Sequence, residues 1–198
     1  SKNVQVIDLS ADFRLDDVKN YQKWYKNDHL APDLQKNAVY GLSEFSRGQI
    51  KKGKIIACPG CYPTSILLPL LPLMGFGLID EENIIVDAKS GISGAGKSLK
   101  ESNLFCSQNE NSSAYNVGIH RHLAEIEQEL TKKAQKNIQI EFTPHLIPVN
   151  RGIISTIYVN LQDGHNIDDI ANCLQTRYED EYFVEVNYDQ NKYLSLNK

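Results

Sequence analysis

Short apolar runs separated by polar stretches set the frame of this chain. VQVIDL (4–9) and KIIAC (54–58) read as strands, and DVKNYQKWYKNDHL (17–30) as a helix with aromatic contacts. VYGLSEFSRGQI (39–50), between them, reads as a loop. The second half is more regular. IIVDA (84–88) is a strand, and LAEIEQELTKKAQ places Leu123, Ile126, Leu130 and Ala134 on one helical face. In IQIEFT, alternation puts Ile138, Ile140 and Phe142 on one side. RGIISTIYVNL (151–161) is a strand with Ile154, Thr156 and Tyr158 facing opposite to Ile153, Ser155, Ile157 and Val159. Asn166 is placed to cap a helix whose inner face holds Ile167, Ile170, Leu174 and Tyr178, and FVEVNY (183–188) is a last strand.

From residue 84 the order is therefore β-α-β-β-α-β, the ferredoxin-like signature. A Gly- and Ser-rich insertion over 89–121 interrupts it, and compact domains seldom keep such a loop without a use. The pattern predicts an α+β fold: a mixed, mainly antiparallel sheet with helices on one face. The other sheet face keeps apolar positions, which points to a dimer or a domain interface.

Composition narrows the classes. A chain of 198 residues fits one ordinary domain or two small ones, and 41% hydrophobic residues suffice for a core. The net charge of -4 and five scattered arginines argue against a nucleic-acid partner. No apolar run reaches a membrane-spanning length, and SKNVQVIDLS is no signal peptide. Four cysteines, at 58, 61, 106 and 173, are too sparse for a secreted disulfide scaffold. Free thiols in a reducing, cytoplasmic compartment are expected. Both ends read as cut.

The chemistry concentrates in CPGCYPTS (58–65). Pro63 suits the first turn of a helix, where its missing N–H would be unsatisfied anyway, and Gly60 permits a tight turn. Cys61 then lies at a helix start, where partial positive charge favours thiolate over thiol. The apolar run ILLPLLPL behind it forms a rigid base, which Pro69 and Pro72 bend or end. Three other readings stay open at this level: a merely buried cysteine, a Cys58–Cys61 redox pair, and half of a zinc site, for which Cys106 and Cys173 offer no second close pair.

Gly91, Gly96, Lys97 and Ser98 formally match a phosphate loop after a strand. The following SLKESNLF is too short and polar for the long supporting helix, so the glycines mean close backbone approach to something, or a flexible loop. His120 and His122 precede the helix at Leu123, with Glu125 one turn in, and histidine is the acid–base group a thiolate chemistry needs. Ordinary capping is the plain alternative. Arg14 and Arg151 each flank a strand and suit a carboxylate or phosphate, or a structural ion pair. His145 is a further residue placed near the site.

Six segments in order, DLSADFRL, VYGLSE, CPGCYPTS, DAKSGISGAG, HRHLAEIEQEL and FTPHLIPVNRGI, resemble the N-acetyl-gamma-glutamyl-phosphate reductase family, in the wider group that includes aspartate-semialdehyde dehydrogenase. The resemblance implies NADP-dependent reduction of an acyl phosphate, N-acetyl-gamma-glutamyl phosphate, to an aldehyde in arginine biosynthesis, with release of phosphate. It implies Cys61 as nucleophile, His122 or His120 as acid–base group with His122 preferred, and Arg14, Arg121 and Glu125 beside substrate. It assigns Ser90, Gly91, Ser93, Gly94 and Gly96 to the cofactor, makes the phosphate-loop match coincidence, and implies no metal. Its architecture would be a Rossmann-like remnant over 1–60, then a catalytic and dimerisation domain over 61–198 like the C-terminal domain of glyceraldehyde-3-phosphate dehydrogenase. The implied assembly is a homo-oligomer through the sheet face.

Relatives commonly carry asparagine at the place of Cys58, proline at that of Ala124 and arginine at that of Lys97. The extra thiol at 58 leads to an expectation of a reversible Cys58–Cys61 disulfide. The glycine-rich opening and the closing segment of the family have no counterpart here, so the piece alone is expected to bind NADP poorly. Two alternatives remain: a sister activity on aspartyl phosphate, against which HRHLAEIEQEL argues, and a dimerisation module without turnover.

Overall fold

A computed structural model describes residues 4–96, 100–101, 104–189 and 195–196. Two sheets organise it. The first has three parallel strands, β1 (Val6–Asp8), β2 (Ala38–Tyr40) and β3 (Ile55–Ala57), in the order β1-β3-β2. Parallel neighbours need crossovers. Helices α1 (Val18–Tyr25) and α2 (Pro32–Gln35) supply the first, and α3 (Ser43–Ile50) the second. Asp17 caps α1 by accepting from the Lys19 amide.

Helix α3 falls where a loop was expected, together with β2. The stretch has only two large apolar residues after Leu42, Phe45 and Ile50, too few for a readable periodicity. Tertiary contact holds it instead. Phe45 packs edge-on to Tyr178 at 6.5 Å, and the Arg177 guanidinium lies 4.5 Å over the Phe45 ring.

The second sheet has the order β5-β6-β4-β7, with β4 (Ile85–Ser90), β5 (Ser113–Ala114), β6 (Glu141–Leu146) and β7 (Ile153–Tyr158). β4 runs parallel to β6, while the β4–β7 and β5–β6 pairs are antiparallel. The sheet is thus mixed and mainly antiparallel, as expected. The ferredoxin-like order is not what forms. β4 and β6 are immediate neighbours with no strand splitting them, and FVEVNY carries no strand. Alternation alone does not make a strand: the backbone has to pair, and FVEVNY joins neither sheet. β5, inside the 89–121 insertion, takes an outer edge instead.

Helices α4 (Cys61–Gly75), α6 (His122–Ala134) and α7 (Ile167–Tyr178) cover one face, while α5 (Phe105–Gln108) is a single turn in the insertion. Ile66, Leu67 and Leu70 of α4, Ile126 and Leu130 of α6, and Val86 and Ala88 of β4 are essentially water-free. At about 25 cal/mol per Å² of apolar surface, this shared core is the main stabilising term. The opposite sheet face stays open, with Ile85, Ile154 and Tyr158 exposed around the Asp87–Lys89 pair.

Of the two effects expected of Pro69 and Pro72, neither ends helix α4, which runs on to Gly75. Pro72 removes the N–H that would bond the Leu68 carbonyl. The Tyr178 hydroxyl donates to that carbonyl instead, so α7 completes what the proline leaves open. Asn166 caps α7 in a reciprocal box with Asp169. Ile170 and Leu174 turn inward and Tyr178 is buried, but Ile167 is exposed, because a side chain at the first helical position leans back past the helix start. None of the helices described is long and apolar enough to cross a membrane.

Candidate active site

β3 ends at Ala57 and α4 starts at Cys61, so CPGC is the turn between a central strand and the main core helix. Each side of the turn is tied down. The Cys58 amide donates to the Asp8 carbonyl at 2.8 Å, prolonging the β1–β3 ladder. Arg14 Nε donates to the Cys58 carbonyl at 2.7 Å, and a second Arg14 nitrogen to the Leu9 carbonyl at 3.2 Å. The Gly60 amide donates to Glu125 Oε1 at 2.8 Å, and the Gly60 carbonyl accepts both the Thr64 amide and hydroxyl at 3.0 Å. Pro63 sits buried in the first turn of α4.

Cys61 is exposed and its thiol is free; Cys58 is half-buried and also free. Although the residue is open to solvent, the surroundings of its sulfur push the thiol pKa up. Burial is the largest cause and Glu125 adds to it, while the amides of Tyr62 and Cys61 and the charge of Arg14 pull the other way. The helix-start effect read from the sequence is present but outweighed by desolvation. A base that takes the proton is needed for thiolate chemistry at neutral pH.

Two histidines lie beside it. A Cβ built on Gly60 would meet His122 Nε2 at 2.5 Å, so the His122 ring presses on the residue before the nucleophile. This explains Gly60 by close approach rather than by φ, which is an ordinary -65°. His122 Nδ1 is buried and, among the described residues, has no hydrogen-bond partner. His120 is packed differently, edge-on to Tyr62 and Tyr115 at 5.5 Å and to Phe142 at 5.6 Å, with the His122 ring 4.8 Å away. Its Nδ1 accepts the His122 amide at 3.1 Å, which leaves its ring proton on Nε2. Burial, with neighbouring positive charge, lowers His122 to about 3 and His120 to about 4. Both rings are neutral at pH 7.

The remaining expected residues are distributed as follows. Arg14 and Glu125, expected beside substrate, lie beneath the turn. Glu125 is fully buried, Arg14 nearly so, and they pair at 3.6 Å. Arg121 is exposed at the start of α6, over the Tyr25 ring at 5.2 Å. Among the described residues no group of three or more His, Cys, Asp or Glu could hold a metal ion. His145 sits on the open sheet face, 3.1 Å from Asp87, and gives the site its backbone carbonyl, which accepts from the Tyr62 hydroxyl at 3.3 Å. Arg151 is exposed.

Ser90 and Gly91 are buried at the end of β4, followed by a 3-10 turn over Ile92–Ala95. The turn is bonded back onto the 149–152 segment through the amides of Gly91, Ile92 and Ser93. A Cβ on Gly91 would meet the Arg151 amide nitrogen at 2.8 Å, and one on Gly94 the Ser90 hydroxyl at 2.6 Å. Gly91 and Gly94 are therefore needed for packing, while Ser93, Gly94 and Gly96 leave an open stretch of backbone. Lys97 and Ser98, which completed the phosphate-loop match, lie outside the described residues. The next helix described, α5, is four residues long, not the long support such a loop needs.

Three tyrosines escaped the sequence reading. Tyr62, next to Cys61, packs edge-on to the His120 and His122 rings at 5.5 and 5.9 Å, and Tyr115 donates to the Tyr62 hydroxyl at 3.1 Å. Tyr40, on β2, donates to Glu125 Oε1 at 2.8 Å. The position of Tyr62 next to Cys61 was a usable signal; nothing local marks Tyr40 or Tyr115.

Comparison with known proteins adds a family to this geometry. The family described as "Semialdehyde dehydrogenase, dimerisation domain" matches residues 61–197. The N-acetyl-gamma-glutamyl-phosphate reductase of Lachnoclostridium phytofermentans is 50% identical over 183 residues, covering 92% of this chain and 53% of its own. That of Rhodospirillum rubrum is 51% identical over 183 residues, covering 92% and 52%. The chain spans about half the length of the curated relatives it matches. Among solved structures, aspartate semialdehyde dehydrogenase II from Vibrio cholerae shares the fold with a TM-score of 0.60 at 17% identity, over 86% of this chain and 52% of the other. The Francisella tularensis enzyme gives a TM-score of 0.61 at 16% identity, over 86% and 55%.

Proposed function

Because the chain belongs to the semialdehyde dehydrogenase family, and within it to the N-acetyl-gamma-glutamyl-phosphate reductases, we propose that it is the catalytic part of such a reductase. Its substrate is N-acetyl-gamma-glutamyl phosphate and its product the 5-semialdehyde, in arginine biosynthesis. Residues 1–60 are the end of the NADP-binding Rossmann domain, and 61–198 the catalytic and dimerisation domain. The working compartment is a reducing one, the cytoplasm.

One observation carries the chemistry. His122 Nε2 lies against Gly60, directly before Cys61. His122 is neutral at working pH, so it takes the thiol proton as the sulfur attacks the acyl carbon. The bond to phosphate breaks and a thioester on Cys61 remains. NADPH, when bound, supplies the hydride that reduces this thioester. The same imidazolium returns its proton to the carbonyl oxygen, which gives the thiohemiacetal. Collapse of that adduct breaks the C–S bond, sends the hydroxyl proton back to sulfur through His122, and frees the aldehyde.

The amides of Cys61 and Tyr62 at the helix start are the available donors for the developing oxyanion. His120, boxed by aromatic rings and bonded to the His122 amide, holds the start of α6 in place. Arg121 is the exposed cation for the anionic ends of the substrate, while Arg14 and Glu125 fix the turn from below. For the nicotinamide cofactor, Ser93, Gly94 and Gly96 offer backbone unobstructed by side chains, on the buried support of Ser90 and Gly91. This fits a loop that a cofactor approaches closely.

The test is turnover of the native-length protein in the oxidative direction with NADP and phosphate, offering N-acetylglutamate semialdehyde and aspartate semialdehyde separately. Preference for the first, abolished in Cys61→Ala, is expected. Preference for the second, or equal activity in Cys61→Ala, would overturn the reading.

A further inference from the structure

We infer that Tyr40 is a positioning residue of the active site, holding the nucleophile turn and the catalytic histidine in register through the carboxylate of Glu125. The inference rests on the assignment of Cys61 and His122 above. Two hydrogen-bond donors and one cation, from three places in the fold, converge on that carboxylate. The Tyr40 hydroxyl and the Gly60 amide both reach Oε1 at 2.8 Å, and Arg14 stands 3.6 Å from Oε2. Glu125 is itself fully buried, out of contact with bulk solvent, so losing a partner there is costly.

Glu125 is three residues after His122 on α6, so the two share a helix face. A carboxylate that grips the Gly60 amide therefore also sets how α6, with His122, lies against Gly60 and Cys61. Tyr40 is contributed by β2, a strand that carries none of the other residues placed at the site. Its proton is secure: burial, then the Glu125 charge, raises its pKa. It is a permanent donor. Among the described residues Glu125 Oε2 has no hydrogen bond, so Oε1 alone holds the Gly60 amide. Loss of the Tyr40 donor consequently loosens the one oxygen that carries the turn.

The titratable and charged groups facing Glu125 are Arg14 from the segment after β1, Tyr25 at the end of α1, Tyr40 from β2, Cys61 at the head of α4 and Glu129 one turn along α6. Burial raises the Glu125 pKa, and Arg14, Gly60 and Tyr40 restrain it. Removing the Tyr40 hydroxyl raises it further, so the carboxylate is lost at a higher pH.

The experiment compares wild type, Tyr40→Phe and Glu125→Gln in the native-length protein by amide hydrogen exchange and by kcat and KM across pH. In Tyr40→Phe, exchange at Gly60 should accelerate about 10-fold or more, with the β4 and β6 amides unchanged. Its kcat should fall about 10-fold with KM within about 2-fold, and the acid limb of the profile should move to higher pH. Glu125→Gln keeps an oxygen for both donors but no titration. It should retain most of the Gly60 protection and lose the shift of the acid limb. Unchanged exchange at Gly60 in Tyr40→Phe would overturn the inference whether or not the protein turns over the expected substrate. So would a kcat loss uniform across pH. An inactive wild type that still shows the exchange effect would instead remove the functional reading and keep the mechanical link.

Discussion

The ring of His122 occupies the space that a side chain at position 60 would need: a Cβ there would stand 2.5 Å from Nε2 and 2.8 and 2.9 Å from two ring carbons. Glycine at 60 is thus a requirement of the cysteine–histidine pair rather than of the backbone.

Gly60→Ala should force the ring or the turn aside. Overpacking of this kind costs about 1–3 kcal/mol of stability, which a core of this size tolerates. Catalysis should suffer more, with kcat/KM lower by about 100-fold, since small misplacements of reacting groups are that damaging. Steady-state kinetics beside a thermal melt separate the two; a variant with full activity would show that the close approach is irrelevant.

Stability should fall with acid in a window set by the histidines. In the unfolded chain His120 and His122 take up protons near pH 6.5; in the fold they resist until about 4 and about 3. Between these limits the unfolded state binds more protons, so stability rises with pH and is lost as pH drops from about 6.5 toward 3. Glu125, with its raised pKa, works in the opposite sense. The melting temperature should be higher at pH 7 than at pH 5 in wild type, and the gap should shrink to about half in His122→Gln, because both folded values lie below 5 and His120 stays in place.

The long-range half of this site was hidden in the sequence. Leu123, Ile126 and Leu130 announced α6 by their spacing, and the Pro63 signal located the start of α4 and with it Cys61. The Tyr40–Glu125 bond joins residues 85 apart, and the Gly60–Glu125 bond residues 65 apart. No local pattern encodes such pairs. α3 was missed because its stability comes from Phe45 against Tyr178 and Arg177, which are far away in sequence. FVEVNY shows the reverse failure, a good local alternation that pairs with neither sheet.

The open sheet face should carry self-association, in keeping with a family described as a dimerisation domain. Ile85 and Tyr158 are paired across β4 and β7 and are about half exposed, at 49% and 56%. Replacing both by arginine should shift sedimentation to a monomer with the circular dichroism spectrum unchanged. A mutant that sediments as wild type would move the interface elsewhere.

Mild peroxide should join Cys58 to Cys61. Sulfur on Cys61 is oxidised to the sulfenic acid as peroxide is reduced to water, and attack by the Cys58 thiol expels a second water as the disulfide forms. Peptide mass spectrometry should find the pair, and a thiol reductant should restore alkylation of Cys61. Recovery of Cys61 only as an unpaired oxidised thiol would exclude the bridge.

The central claim is that Cys61 is acylated in the course of the reaction. The direct measurement is to mix native-length protein with N-acetyl-gamma-glutamyl phosphate in the absence of NADPH and to follow phosphate release together with the mass of the peptide containing Cys61. The account predicts a stoichiometric burst of phosphate and an acyl thioester on Cys61, discharged on addition of NADPH and absent in Cys61→Ala. A burst without an adduct at Cys61, or the same burst in Cys61→Ala, would contradict it.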